Sequence, residues 1–276
     1  MKERVHIMEV TPRDGLQNEK FMPTHEEKRQ IIEKIVDCGF RQVEAGSFVH
    51  PKAVPQMAGT AELFSDLPKA ENVDYYALIP NLKGYELALK AGVKNIGYVL
   101  AVTEEMQQRN VRMSVEEGYR QLREIARLAE KDGVKLRGYL AVVFHCPFEG
   151  ETPTAIGLEW VKKLAELGIS DICLADTDGN AQPDHAEKLL TQALKATSSY
   201  QGHLSLHLHQ TYGYAEENLR RALKAGIRHL DAATAGLGGC PFAPGAKGNI
   251  ASERLVAICE EAGYATGIDR QKLSDF

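Results

Sequence analysis

Hydrophobic and polar positions along this chain repeat in a two-part unit. A stretch with apolar residues at helical spacing ends in a glycine, and a short, nearly continuous apolar run follows. Gly39 stands before the run 40–48, Gly92 before 93–102, Gly133 before 134–144, Gly168 before 169–175 and Gly226 before 227–235. Glycine just past a helix end takes the left-handed conformation at little cost and closes the helix. A short continuous apolar run is how a strand buried on both faces reads in a parallel sheet.

This pattern predicts eight strands, at 5–10, 42–48, 75–79, 95–102, 135–144, 171–176, 203–209 and 229–235. Helices are predicted at 24–38, 54–66, 82–91, 114–131, 153–167, 184–196, 215–225 and 252–262. Eight alternating units are the arithmetic of a single (β/α)8 TIM barrel in the α/β class. A doubly wound open sheet is the runner-up, and the chain has no glycine-rich dinucleotide fingerprint after an early strand. With no low-complexity stretch or Pro/Ser-rich linker, residues 1–276 read as one single-domain barrel, and 267–276 as the start of a terminal helix.

Composition narrows the function classes. A hydrophobic content of 43% supports a sizeable core, and 26% charged residues suit a soluble globular chain. The formal net charge is −5, with no clustered basic stretch, which argues against nucleic acid as a partner. The five cysteines are widely spaced, without a C-x-x-C pair, and fit reduced thiols in a cytoplasmic compartment. There is no apolar run of membrane-spanning length and no apolar or Arg-rich leader, so no membrane association is expected.

Barrels of this kind gather their chemistry at the C-terminal ends of the strands. After the first strand, Arg13 and Asp14 stand side by side; they could form an ordinary surface ion pair, but opposite charges at a barrel mouth suggest use. Glu44 interrupts the apolar run of the second strand, where a buried carboxylate needs a partner; a core salt bridge, Arg13 included, and a site role are compatible. His145 and Cys146 end the fifth strand and read as a hydrogen-bonded histidine and a core cysteine. Asp176 ends the sixth, where it would orient a ligand rather than hold metal. On the seventh strand, His207 and His209 fall on one face by the period of two and form half of a metal site; their ordinary reading is a pair of core histidines bonded to carboxylates. Asp14 across the barrel would complete a mixed nitrogen and oxygen set for a divalent cation.

The connection 236–249 after the last strand is rich in glycine, with Pro241 and Pro244, and reads as a lid or binding loop. Cys240 sits among its glycines, and Asn249 closes it with a neutral oxygen.

Three segments carry a resemblance. Gly238-Gly239-Cys240-Pro241-Phe242-Ala243-Pro244-Gly245-Ala246-Lys247-Gly248-Asn249 is similar to the signature loop of the 3-hydroxy-3-methylglutaryl-CoA lyases. Pro12-Arg13-Asp14-Gly15-Leu16-Gln17-Asn18-Glu19 resembles their opening motif. Ser47-Phe48-Val49, with Pro51-Lys52 and Val54-Pro55-Gln56-Met57, resembles the region after their second strand. The resemblance spans almost the whole chain. It implies metal-dependent cleavage of 3-hydroxy-3-methylglutaryl-CoA to acetyl-CoA and acetoacetate. It also implies Asp14, His207, His209 and Asn249 as ligands of Mg²⁺ or Mn²⁺. Arg13 would stabilise the enolate oxygen, Glu44 would support Arg13, Cys240 would donate a proton and Asp176 would orient the substrate. Asp14 and His207 are both candidates for the base. The implied partner is an acyl-CoA substrate, and the implied assembly a homodimer; the residues that hold CoA are not legible, although Lys20, Lys52 and Lys247 could each meet a phosphate.

The sequence departs from the family pattern at Gln210, where an acidic residue is usual, at Asp178, at Thr103 and at His50. Those departures keep open a lyase of the same chemistry on another 3-hydroxyacyl-CoA or hydroxy acid. A Claisen-type synthase and a non-enzymatic metal-binding barrel are the more distant alternatives.

Overall fold

The strands close into a ring. The computed structural model describes residues 2–239 and 248–276. Strands β1 (His6–Glu9), β2 (Gln42–Ser47), β3 (Asp74–Ile79), β4 (Asn95–Ala101) and β5 (Lys135–Ala141) come first. A two-residue hairpin follows, β6 (His145–Cys146) and β7 (Gly150–Glu151), and then β8 (Asp171–Asp176), β9 (His203–Leu208) and β10 (His229–Ala232). The barrel runs β1-β2-β3-β4-β5-β8-β9-β10 and returns to β1, with every pair parallel. The predicted (β/α)8 TIM barrel is the fold observed.

The helices are α1 (His25–Asp37), α2 (Thr60–Ser65), α3 (Leu82–Lys90), α4 (Glu104–Val111) and α5 (Val115–Asp132). They continue with α6 (Thr154–Glu166), α7 (Pro183–Ala196), α8 (Ala215–Ala225), α9 (Ser252–Glu261) and α10 (Arg270–Ser274). All five glycines read as caps do take positive φ, between 65° and 114°. The helix expected at 54–66 breaks at Gly59 (φ 77°) into the short turn Pro55–Met57 and α2. Helix α4 carries only Met106 and Val111 as large apolar residues, so it offers no stripe for the sequence pattern to detect. The fifth strand stops at Ala141 because Val142 turns to positive φ (54°), and the last stops at Ala232, short of the expected 235.

The apolar core lies between strands and helices, with Ile32, Phe40, Leu122, Val161, Leu189 and Leu219 among its buried members. The inside of the barrel is polar by contrast. Arg137 of β5 is buried there, reaching Asp231 of β10 at 2.7 Å and Asp171 of β8 at 3.3 Å. A buried guanidinium is tolerable only when paired in this way.

One irregularity matters for the site. Strands β9 and β10 pair only at Ser205↔His229 and Leu206↔Leu230, then splay apart. The segment 248–252 fills the gap. Gln210 N donates to Gly248 O (3.0 Å) and Ile250 N to Leu208 O (3.0 Å) on the β9 side. On the β10 side, Ala233 N donates to Ile250 O (3.2 Å) and Ser252 N to Ala233 O (3.0 Å). The return end of the glycine-rich connection is therefore wedged into the barrel wall, which satisfies strand ends that would otherwise lose their partners.

Candidate metal centre at the barrel mouth

The site begins in the turn after β1. Residues Thr11–Gly15 form one wide turn in which Gly15 N reaches back to Val10 O (3.2 Å), a π-type geometry often found at functional positions. Pro12 sits in its first turn, where no amide donor is needed. The turn projects Arg13 and Asp14 inward, both buried.

Asp14 is the hub of the cluster. Its Oδ1 accepts from Arg13 Nη1 (2.5 Å) and Gln17 Nε2 (2.7 Å), and its Oδ2 accepts from Asn249 Nδ2 (2.7 Å). Oδ2 also lies 4.0 Å from His207 Nε2 and 3.8 Å from His209 Nε2. The two imidazole nitrogens face one another at 3.1 Å. Asp14, His207 and His209 can thus offer one ligand atom each within 4.8 Å of one another, all buried.

Asn249 reaches this cluster through the wedge, which pairs it with His209 as an antiparallel bridge. Its amide donates to Asp14 and to Leu237 O (2.8 Å), leaving its buried Oδ1 without a partner among the described residues. An unspent oxygen beside a carboxylate and two imidazoles fits a divalent cation with mixed ligands.

Protonation states agree with that fit. Burial opposes the charge on Asp14, yet the Arg13 guanidinium and the neighbouring histidines hold its carboxyl far below the usual range. Burial pushes His209 down, toward the neutral imidazole that ligates metals. Burial works against the charge of Arg13 too, but Glu44 and Asp14 outweigh it and raise its pKa.

Glu44, on β2, is wholly buried and bridges two groups. Its Oε2 accepts from Arg13 Nε (2.5 Å) and its Oε1 from the Tyr139 hydroxyl (2.9 Å). Breaking such a buried pair by removing one partner leaves an uncompensated charge, at a cost of about 3–5 kcal/mol. A second carboxylate supports His207, whose Nδ1 lies 3.1 Å from Asp231 Oδ2. Behind it, Asp231 accepts from Arg137 Nη2.

Part of this cluster lines a cavity of about 240 Å³ at the C-terminal end of the barrel. Arg13, Asp14, Tyr139, His207 and His209 form its polar wall, and Val54, Leu78, Val99 and Met106 its apolar one. A larger cleft of about 850 Å³ opens at the opposite end, among Gln42, Asp74, Lys135 and His203. The chemistry converges in the smaller cavity.

Not every predicted residue joins the cluster. Asp176 is buried outside this set; its Oδ1 accepts from Ala181 N (3.0 Å), and burial, then Asp178, raises its pKa well above the carboxylate range. Cys240 lies outside the described residues. His145 and Cys146 pair with two of the departing positions: His145 Nδ1 meets Asp178 Oδ2 at 2.7 Å, and Thr103 donates to Cys146 Sγ (3.3 Å). Gln210 turns away from the cluster and caps α8, its Oε1 accepting from Ala215 N (3.1 Å).

Sequence reasoning missed Tyr139, Asp231 and Arg137. The available signal was parity: Arg137, Tyr139 and Ala141 share the inward face of β5, and Asp231 is the polar residue inside the apolar run of β10.

Fold and site together define a (β/α)8 barrel with a candidate divalent-cation centre at its C-terminal mouth. The chain belongs to the HMGL-like family, whose model matches residues 4–276. It is 40% identical over 273 residues to the mitochondrial hydroxymethylglutaryl-CoA lyase of Gallus gallus, covering 99% of this chain and 91% of that protein. The crystal structure of hydroxymethylglutaryl-CoA lyase from Pseudomonas aeruginosa superposes with a TM-score of 0.94 at 36% identity, covering 100% of this chain and 91% of the other. An HMG-CoA lyase from Acinetobacter baumannii, in complex with coenzyme A and 3-methylmalate, superposes with a TM-score of 0.93 at 38% identity, covering 99% and 88%.

Proposed function

We propose that this protein is a divalent-metal-dependent carbon–carbon lyase that cleaves 3-hydroxy-3-methylglutaryl-CoA to acetyl-CoA and acetoacetate. The observation that carries the reading is the convergence of Asp14, His207 and His209 with Arg13 on one cavity wall, where Asn249 reaches Asp14 and Glu44 holds Arg13. The near full-length identity to hydroxymethylglutaryl-CoA lyases supports the substrate, and the relative bound to coenzyme A supports an acyl-CoA partner.

Asp14, His207, His209 and Asn249 would hold Mg²⁺ or Mn²⁺. When bound there, the cation supplies Lewis acidity that lowers the pKa of a hydroxyl. The chain's own residues carry the rest. Asp14 or His207 takes the C3 hydroxyl proton, the C2–C3 bond breaks, and C3 becomes the ketone of acetoacetate. The electron pair moves into the thioester as an enolate, whose oxygen faces the fixed charge of Arg13. Glu44, braced by Tyr139, holds that guanidinium in place. Cys240, carried by the connection that Asn249 closes, gives its thiol proton to the enolate carbon and completes acetyl-CoA. Asp176 acts at one remove, through the turn it holds; the next residue, Thr177, borders the cavity. A cytoplasmic location, a homodimer and a single catalytic barrel over 1–276 belong to the same reading.

The test is acetoacetate release from 3-hydroxy-3-methylglutaryl-CoA with Mg²⁺, then with chelator, for wild type and Cys240→Ser. Release that needs metal and collapses in the variant is the expected result. A folded, metal-bound protein that releases nothing overturns the substrate assignment.

A further inference from the structure

Glu9 has no part in the cluster described above, yet it is 0% exposed and has no cationic partner among the described residues. It ends β1 between Met8 and Val10. Met8 touches Arg137 and Tyr139 inside the barrel, so parity turns Glu9 outward, toward the layer of loops and helices. A carboxylate in such a position needs several donors.

It has four, from three separate segments. Oε1 accepts from Thr11 N (3.1 Å), Thr11 Oγ1 (2.6 Å) and Thr234 N (3.1 Å). Oε2 accepts a short hydrogen bond from Ser252 Oγ. Thr234 N also reaches Thr11 Oγ1 at 2.8 Å, which closes the network. Thr11 opens the turn that carries Arg13 and Asp14. Thr234 is at the outgoing root of the glycine-rich connection. Ser252 ends the returning wedge, three residues beyond Asn249, and begins α9. One side chain therefore touches the origin of every segment that must meet for Asn249 to face Asp14.

We infer that Glu9 is a positioning residue that clasps both roots of the 234–252 connection to the turn after β1, and so sets the placement of Asn249 against Asp14. The backbone alone does not do this: among the described residues the wedge is joined by its backbone to β9 and β10, and it meets β1 and its turn through side chains, Asn249 to Asp14 and Ser252 to Glu9. Glutamine keeps the shape and three of the four acceptances, and its amide nitrogen can donate to Ser252 Oγ. Alanine leaves the Thr11 amide and the hydroxyls of Thr11 and Ser252 buried without their acceptor, while Thr234 N keeps only Thr11 Oγ1.

This inference rests on the metal-centre reading for one arm of its test and is independent of it in the other. Mn²⁺ binding to the full chain is titrated by the loss of free-ion paramagnetic signal, and deuterium exchange is followed at amides 234–237 and 250–252. Glu9→Ala is expected to raise the Mn²⁺ dissociation constant about tenfold, the low end of what losing a ligand-orienting contact costs. It is also expected to speed exchange at both roots together, while exchange in β4 and β5 stays as in wild type. Glu9→Gln is expected to restore both. Ser252→Ala removes one donor and is expected to give the smaller change in the same direction, which keeps the test open should Glu9→Ala not fold. Unchanged exchange at both roots in Glu9→Ala, or in Ser252→Ala where that variant stands in, overturns the clasp. Wild type that binds no Mn²⁺ would overturn the metal centre instead, with the exchange arm still deciding the role of Glu9.

Discussion

Asp231 Oδ2 lies 3.1 Å from Nδ1 of His207, and the same carboxylate accepts from Arg137, so the imidazole is gripped from the side away from Asp14. With Nδ1 engaged, Nε2 is the nitrogen left to point at the cluster. This fixes the ring and makes it a better donor to a cation. Replacing Asp231 with asparagine keeps the volume but removes the charge. The expected result is a Mn²⁺ affinity lower by about 10–100-fold, read in a binding titration. Affinity equal to wild type would remove Asp231 from the account of the site.

Arg13 is expected to act on the bond-breaking step more than on substrate binding. Its guanidinium sits in a buried frame built by Glu44, Tyr139 and Asp14, so its charge is in place before reaction begins. Arg13→Met is expected to lower kcat by about 10²–10³ with a smaller change in KM. Tyr139→Phe frees one Glu44 oxygen and is expected to cause a milder loss of the same kind. A Tyr139→Phe variant whose defect lies wholly in KM would argue against this division of roles.

Much of this architecture was legible in sequence, for a physical reason. Strands of a parallel barrel are buried on both sides, so they read as apolar runs, and the glycine caps punctuate them. The His207 and His209 pairing followed from a period of two. What escaped has equally definite causes. Helix α4 lacks an apolar stripe because only Met106 and Gln107 are buried along it, although Met106 and Asn110 line the cavity. The wedge at 248–252 pairs with strands distant in sequence, and no local pattern records that. Tyr139 and Asp231 could have been found by parity. Glu9 could have been noticed as a carboxylate on the helix-facing side of an otherwise apolar strand.

Gly179 provides a test of how tightly the β8–α7 turn is fitted to the site. It has a positive φ of 77°, and a Cβ there would stand 2.8 Å from the backbone oxygen of His209 and 2.7 Å from Thr211 Oγ1. The neighbour that would have to move is the backbone of a metal-ligand candidate. Gly179→Ala is expected to cost about 1–2 kcal/mol in stability from the left-handed conformation alone. It should also weaken Mn²⁺ binding, because His209 must shift. A variant that loses stability while binding Mn²⁺ as wild type does would show that the strain is absorbed in the turn.

Glu9 makes a prediction about pH. Burial raises its pKa from 4.5 to about 7, against the opposing effect of its hydrogen bonds from Ser252, Thr11 and Thr234. A carboxyl that holds its proton more tightly when folded favours the folded state at low pH. As pH rises above the unfolded value the unfolded chain ionises freely while the native one does not, and stability is lost until the native pKa is passed. The loss between pH 4.5 and 7 from this group is about 3 kcal/mol. Other buried carboxyls, Asp176 among them, titrate as well, so the informative quantity is a difference between variants. Glu9→Gln cannot titrate there. Urea unfolding of wild type and Glu9→Gln in the presence of chelator is therefore expected to show the glutamine variant gaining on wild type by about 3 kcal/mol between pH 4.5 and pH 8, with the gain complete just above pH 7. A constant difference across that range would mean that Glu9 is ionised in the native protein at all these values, held so by its four donors alone.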